Sequence, residues 1–464
     1  MKLSKPLLAC CALASGASCQ RTSEPAPAQR AAEPTPAPTS AMAAPPDPEA
    51  RAVVVREESS AAGETRLFSA GVADLDRDGT LELVAGGFSA VSDGRRSTVL
   101  VYRQRGAEWA PIAEGGWDGG PGSLIRNVQV ADVDGDGRLE VVALGRAGAG
   151  PFAAKARLAI LGLDGTRLAT RAEQEWSSGD YTHGYGLAVG DLDGDRRPEI
   201  VTGGFQGDGE REVGFVRVWS AAGGKLALRA EALLDGEGAT GMRVNDLAIG
   251  DVDGDGRAEI VVAGRRGPRK VKDVKLRLDQ RREAGDVSVL AFTGAALGVR
   301  ARYAWTKGTS LRLRSVIVAD IDGDGRRDIV AGGQYDADGK SCLGWLALER
   351  GQLVLRDDAS TTTAGLAGEV RDLLTVGTGA DLRVLVTGLL GPKGTGQGDL
   401  AAWRADRGHL VRDADLVSRN GDDTRARAVV VVPDGSVLTI GHAQHQAAIV
   451  GQVLRWKLAV PKAL

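Results

Sequence analysis

The sequence predicts an all-β chain: a β-propeller of seven four-stranded antiparallel blades behind a disordered, Pro/Ala-rich N-terminal tether. Three observations predict it. A nine-residue acidic pattern recurs five times. Short β-branched runs flank it each time, of strand rather than helix length. A closing glycine recurs at Gly87, Gly145, Gly204, Gly264 and Gly333, spaced by 58, 59, 60 and 69 residues, and continues at Gly388 and Gly441 after 55 and 53.

Residues 1–18 have the order of a secretory signal. Lys2 and Lys5 give a positive start, Leu7 to Ala14 a short apolar stretch, and small residues precede Cys19. That order resembles a bacterial lipoprotein signal and implies lipidation of Cys19. Gly16 stands where that pattern usually has Leu, and Leu7-Leu8-Ala9-Cys10 is an alternative tetrapeptide with almost no apolar segment before it. Residues 19–50 are rich in Pro and Ala and bury no core, so they read as an extended tether. The expected location is exported and membrane-anchored, in the periplasm, at the outer membrane or at the cell surface.

Residues 51–464 hold the repeats. Each has an apolar run before the acidic loop, such as Val128 and Val130 or Leu187 and Val189. A second run ends on the glycine, as in Leu83-Val84-Ala85-Gly86-Gly87. A third follows, such as Val99 to Tyr102, and a glycine turn leads to a fourth, such as Lys225 to Ala230. The sixth repeat keeps only Asp381 of its loop, and the seventh has Asp434-Gly435, a pair suited to a tight turn. Residues 52–57 have no partner in their own repeat, while the chain ends on a third-strand run from Val453. They are expected to supply the outer strand of the seventh blade.

The acidic sets are Asp74, Asp76, Asp78 and Glu82; Asp132, Asp134, Asp136 and Glu140; Asp191, Asp193, Asp195 and Glu199; Asp251, Asp253, Asp255 and Glu259; Asp320, Asp322, Asp324 and Asp328. Four carboxylates in nine residues repel one another unless a cation neutralises them. Oxygen-only ligands of this density suit Ca²⁺, at up to five sites, better than Mg²⁺. An EF-hand is excluded. Its twelfth position needs an acid, and here stand Ala85, Ala143, Thr202, Val262 and Ala331. The stretch VADVDGDGRLEVV, residues 130–142, with its four counterparts is similar to the FG-GAP/VCBS repeats of integrin α-subunits and bacterial surface proteins. The resemblance implies a seven-bladed propeller with calcium in the first hairpin of a blade. Arg196 replaces a glycine of that pattern, so the third site is expected to be weaker, and Arg77 stands in place of a turn-friendly Gly or Asn in the first loop. The loops read as structural staples, with direct metal contact to a ligand as the alternative.

Formal net charge is −3. Twenty of the 61 acidic residues sit in the five loops, so the rest of the chain, with all 58 Lys and Arg, is basic. Positions six and eight before each loop share parity and should line one mouth of the channel. They include Arg66, Arg126, His183, Tyr185, Arg243, Arg312 and Arg314, with Phe68, Leu124 and Asn245; Arg425 and Arg427 hold a similar place in the seventh repeat. One reading is a basic ring that grips carboxylate or sulfate; the other is a set of salt bridges between blades. A basic insertion at 265–283 is a solvated hairpin or a grip on a polyanion. Cys342 is unpaired and reads as packed and inert.

The expected function is a calcium-stabilised binding or adhesion module, without enzymatic activity, for an acidic polysaccharide or a protein ligand. The alternative is a polysaccharide lyase acting on an acidic glycan near His183 and Tyr185. Nucleic acid is not expected as a partner, and membrane contact only through the lipid.

Overall fold

The computed structural model describes residues 52–60, 62–106, 108–207, 212–235, 240–268, 283–336, 339–361, 367–392, 394–456 and 458. The signal at 1–18, the tether at 19–50 with Cys19, and positions 269–282 of the basic insertion lie outside them.

The described residues form 28 strands and one 3-10 turn, Gly379–Asp381. Seven strands open antiparallel meanders: Thr65–Ala73, Leu124–Ala131, Tyr181–Gly190, Thr240–Gly250, Leu311–Ala319, Gly368–Val376 and Asp423–Val431. The strands assemble into five four-stranded sheets and one eight-stranded sheet. In the eight-stranded sheet, two meanders touch through a single parallel pair, Glu114 with Arg167. The architecture is a β-propeller of four-stranded antiparallel blades.

One sheet takes its fourth strand from the other end of the chain. Val53–Glu58 pairs antiparallel with Ala448–Trp456, from Val53 opposite Arg455 to Glu58 opposite Gly451. The strand expected at 52–57 is therefore present, one residue displaced. It fastens the ring and leaves no lone three-stranded sheet.

The core lies between neighbouring sheets. Val287, Val289 and Trp305 of one sheet pack on Leu311, Leu313, Ile329 and Cys342 of the next. Cys342 is fully buried, and burial pushes its thiol up to about 12, so it is inert at neutral pH.

The closing glycine has a structural cause that recurs in every meander. Each opening strand carries a β-bulge, a skipped residue in its pairing with the second strand, between Leu67 and Ser69, Ile125 and Asn127, Gly184 and Gly186, Val244 and Asp246, Leu313 and Ser315, Val370 and Asp372, and Ala426 and Ala428. The bulge drives the carbonyl two residues before the skipped one into the facing strand. There a Cβ on Gly87 would lie 1.9 Å from the Arg66 oxygen, and on Gly441 1.8 Å from that of Arg425. Only glycine leaves room.

Candidate functional site

The acidic loops close on themselves in one pattern. In the second, Gly135 N and Gly137 N each donate to Asp132 carboxylate oxygens at 2.8 Å, and Arg138 N donates to Asp136 Oδ1 at 2.7 Å. Glu140 Oε2 accepts from Val133 N at 3.1 Å. Counterpart bonds from Leu192, Val252 and Ile321 reach Glu199, Glu259 and Asp328. The ninth acid thus ties down the loop with one oxygen; in the first loop Glu82 does so with Oε2 and gives Oε1 to Arg103. Each loop brings three carboxylate oxygens within 4.8 Å of one another. Repulsion is visible in the charges: burial pushes Glu140 up to about 7, and Asp134, Asp136 and Asp132 add to it. The donors are hard oxygens alone, which fits calcium.

Two loops depart from the pattern. Arg77 and Arg196 hold left-handed backbone, φ 62° and 68°, where their counterparts are glycines such as Gly135 and Gly137 at 76° and 81°. In the first loop Arg103 also reaches in. Its Nη2 lies 2.6 Å from Asp76 Oδ2 and 2.7 Å from Glu82 Oε1, and its Nη1 3.2 Å from Asp78 Oδ2. A fixed cation already answers that cluster.

The opening strands line a cavity of about 790 Å³. All seven skipped bulge residues face it: Phe68, Arg126, Tyr185, Asn245, Arg314, Arg371 and Arg427. Phe68 stands six residues before Asp74, so this ring and the loops are about 20 Å apart along the strand.

The expected ligand residues separate into two tiers. Arg126, Tyr185 and Arg314 line the cavity, whereas Arg66, His183, Arg243 and Arg312 are not among its lining residues. Those three Arg are ion-paired: Arg66 Nε donates to Glu64 at 2.7 Å, Arg243 Nε to Glu212 at 2.5 Å, and Arg312 to Glu283. The Arg243 and Arg312 pairs reach residues of the preceding repeat, whereas Arg66 and Glu64 are two residues apart. His183 is buried and both ring nitrogens are taken. Nε2 sits 2.6 Å from the Pro151 carbonyl, to which it donates, and Nδ1 accepts from Arg146 at 3.2 Å. Burial is the main cause that brings it down to about 4, so it is neutral and held in place.

Tyr185 is different. Burial acts to raise its hydroxyl, but Arg126, Arg243 and Arg146 outweigh it and bring it down to about 8. Arg314 Nε donates to Glu369 Oε1 at 2.8 Å, and Arg371 pairs with the same carboxylate. Burial alone would raise Glu369, yet Arg371, Arg314 and Arg427 hold it at about 2. Arg371, unforeseen in the sequence, is brought down to about 10 by burial. The sixth repeat lacks the acidic loop from which its position would be counted, though Gly388, opposite the bulge, marks the place.

Polar side chains also latch neighbouring meanders beside this ring. Val128 N donates to Ser69 Oγ at 3.1 Å, Val316 N to Asp246 Oδ2 at 3.0 Å and Val429 N to Asp372 Oδ2 at 2.9 Å.

Residues 74–143 match the family described as the FG-GAP-like repeat. The match spans the first two acidic loops. A comparison with curated proteins gives no match.

Proposed function

We propose that this chain is an exported, calcium-stabilised propeller of seven blades that acts as a binding or adhesion module for an acidic polysaccharide. Counting the eight-stranded sheet as two blades gives seven, since one residue pair joins its halves. Lipidation at Cys19 and the tether at 19–50 would hold the propeller off a bacterial membrane. Calcium occupies the second to fifth loops, held by the Asp carboxylates of each together with its ninth acid. The matched family and the clustered oxygens support this. The first loop is closed by Arg103. Bound to the native state alone, the ions stabilise the hairpins by mass action.

The observation that carries the binding reading is the ring of bulge residues, four of seven being Arg, around one cavity. Guanidinium forks favour carboxylate and sulfate. A second reading is a lyase with Tyr185 as the base, favoured by its lowered hydroxyl. Against it, His183 offers no free nitrogen.

Affinity electrophoresis with calcium, through gels cast with acidic or neutral polysaccharides, separates the readings. Retardation in acidic gels alone, with the polymer intact, is the expected result. A cleared track behind the protein would establish the lyase. Unchanged mobility in every gel would sink both and leave a protein ligand.

A further inference from the structure

The charges at the channel mouth do not balance. Arg126, Arg314, Arg371 and Arg427 face it; Glu369 answers two of them, while Asp246 and Asp372, which also line the cavity, are turned to the backbone N–H groups of Val316 and Val429. Glu369 is shared by Arg314 and Arg371. Neither Arg126 nor Arg427 has an ion-pair partner among the described residues. Arg427 is half-buried and its Nε, shielded from solvent, has no hydrogen-bond partner. Arg371 Nε is orphaned likewise. A cation withdrawn from water without a counter-charge is destabilising, and a fold tolerates it where an anion completes the site.

Phe68 lies between the two unpaired cations. The Arg126 guanidinium carbon is 5.0 Å from its ring centre and that of Arg427 6.0 Å. Arg126 also lies 4.4 Å from the Tyr185 ring centre. Two aromatic rings and two cations therefore share one wall. With guanidinium groups over their faces, the rings leave apolar edges that suit the C–H groups of a sugar ring, and the cavity has the size of small-molecule sites.

Building on the reading of the mouth as an acidic-glycan site, we propose that Arg126 and Arg427, on either side of Phe68, clamp the carboxylate of one uronic-acid unit whose ring packs against the edges of Phe68 and Tyr185. The ligand class is thereby a carboxylated sugar rather than a bare oxyanion.

Calorimetric titration of the full chain in calcium tests this with three probes: digalacturonate, a neutral disaccharide of the same size, and inorganic sulfate. Digalacturonate is expected to bind one per chain and the neutral sugar not at all. Arg427→Gln and Arg126→Gln should each weaken binding roughly 10- to 100-fold, the loss for one charge-assisted contact. Arg404→Gln, at an exposed ion pair away from the mouth, should leave binding unchanged. Without ligand, Arg427→Gln should melt no lower than the parent, because it removes an unpaired cation. A lower melting point would make Arg427 a structural residue and overturn the proposal. So would undiminished binding in both mouth variants, no binding of digalacturonate, or sulfate binding as tight as the sugar acid. Gel retardation that survives in both variants while digalacturonate fails would move the polysaccharide site elsewhere and leave the broader function standing.

Discussion

Arg103 Nη2 lies 2.6 Å from Asp76 Oδ2, inside the first acidic loop. The two meet because Arg103 pairs across the strands with Glu82, the ninth position of that loop. A guanidinium fixed there competes with a divalent ion for the same oxygens. Calorimetric titration of the stripped chain should therefore count four calcium ions, and Arg103→Met should raise the count to five. Five in the parent would contradict closure by Arg103.

Arg196 holds φ 68° where other loops have glycine. A side chain in this region strains the backbone by roughly 1–2 kcal/mol, partly offset because glycine loosens the unfolded chain by about 0.4–1 kcal/mol. Arg196→Gly should tighten calcium at the third loop and raise stability by about 0.5–1 kcal/mol. The Arg196 N–H bond to Asp191 Oδ2, 2.9 Å, is kept. Urea unfolding in calcium checks the stability, and titration checks the affinity.

Gly87 faces the Arg66 carbonyl at 1.9 Å from its would-be Cβ. Gly87→Ala should lose about 3 kcal/mol or more, since the bulge has to shift. Gly298, with nothing within 4 Å of its would-be Cβ, provides the control: alanine there should be neutral or slightly stabilising. Equal effects in urea unfolding would refute the steric origin of the repeat glycine.

Asp372 sets a pH dependence. Burial pushes its carboxyl up to about 7, with Asp246 adding to the rise, while the Val429 and Leu373 N–H groups act the other way. The folded-state value is raised above the unfolded one of about 3.9. Its contribution is therefore complete below about pH 4 and is lost as pH rises through about 7. Asp372→Asn should gain on the parent by on the order of 1–3 kcal/mol between pH 5 and pH 8. Unfolding at both pH values, with calcium saturating, reads the difference. A parent that gains on the variant at pH 8 would mean the ionised carboxylate is the stabilising form.

Much of this was legible in the sequence. The five loops and the repeat glycines follow from local spacing, because each is set within one hairpin or one period; the closing strand follows from the repeat count, since 52–57 have no partner in their own repeat and the chain ends on a third-strand run. The positions of Arg126, Tyr185 and Arg314 also followed, since they sit at a constant distance from an acidic loop. Most of what escaped depends on contacts between sheets. Glu212, Glu283 and Glu369 neutralise Arg243, Arg312 and Arg314 from the neighbouring sheet, and no count along one strand reveals that. Asp246 and Asp372 read as ordinary strand carboxylates until Val316 N and Val429 N are brought to them. Arg103 lies in the same sheet as Glu82, directly opposite it across a hairpin, and escaped because the acidic pattern ends 21 residues before it.

Thermal unfolding of the chain in calcium and again after chelation is the most direct test of the loops as metal staples. Each saturated site adds about 2.7 kcal/mol at roughly a hundredfold excess of ion over its Kd. Chelation should lower the Tm by well over the ~2–4 °C that about 1 kcal/mol represents, and added calcium should restore it where magnesium does not. A Tm indifferent to chelation would contradict calcium-stapled blades around the channel mouth.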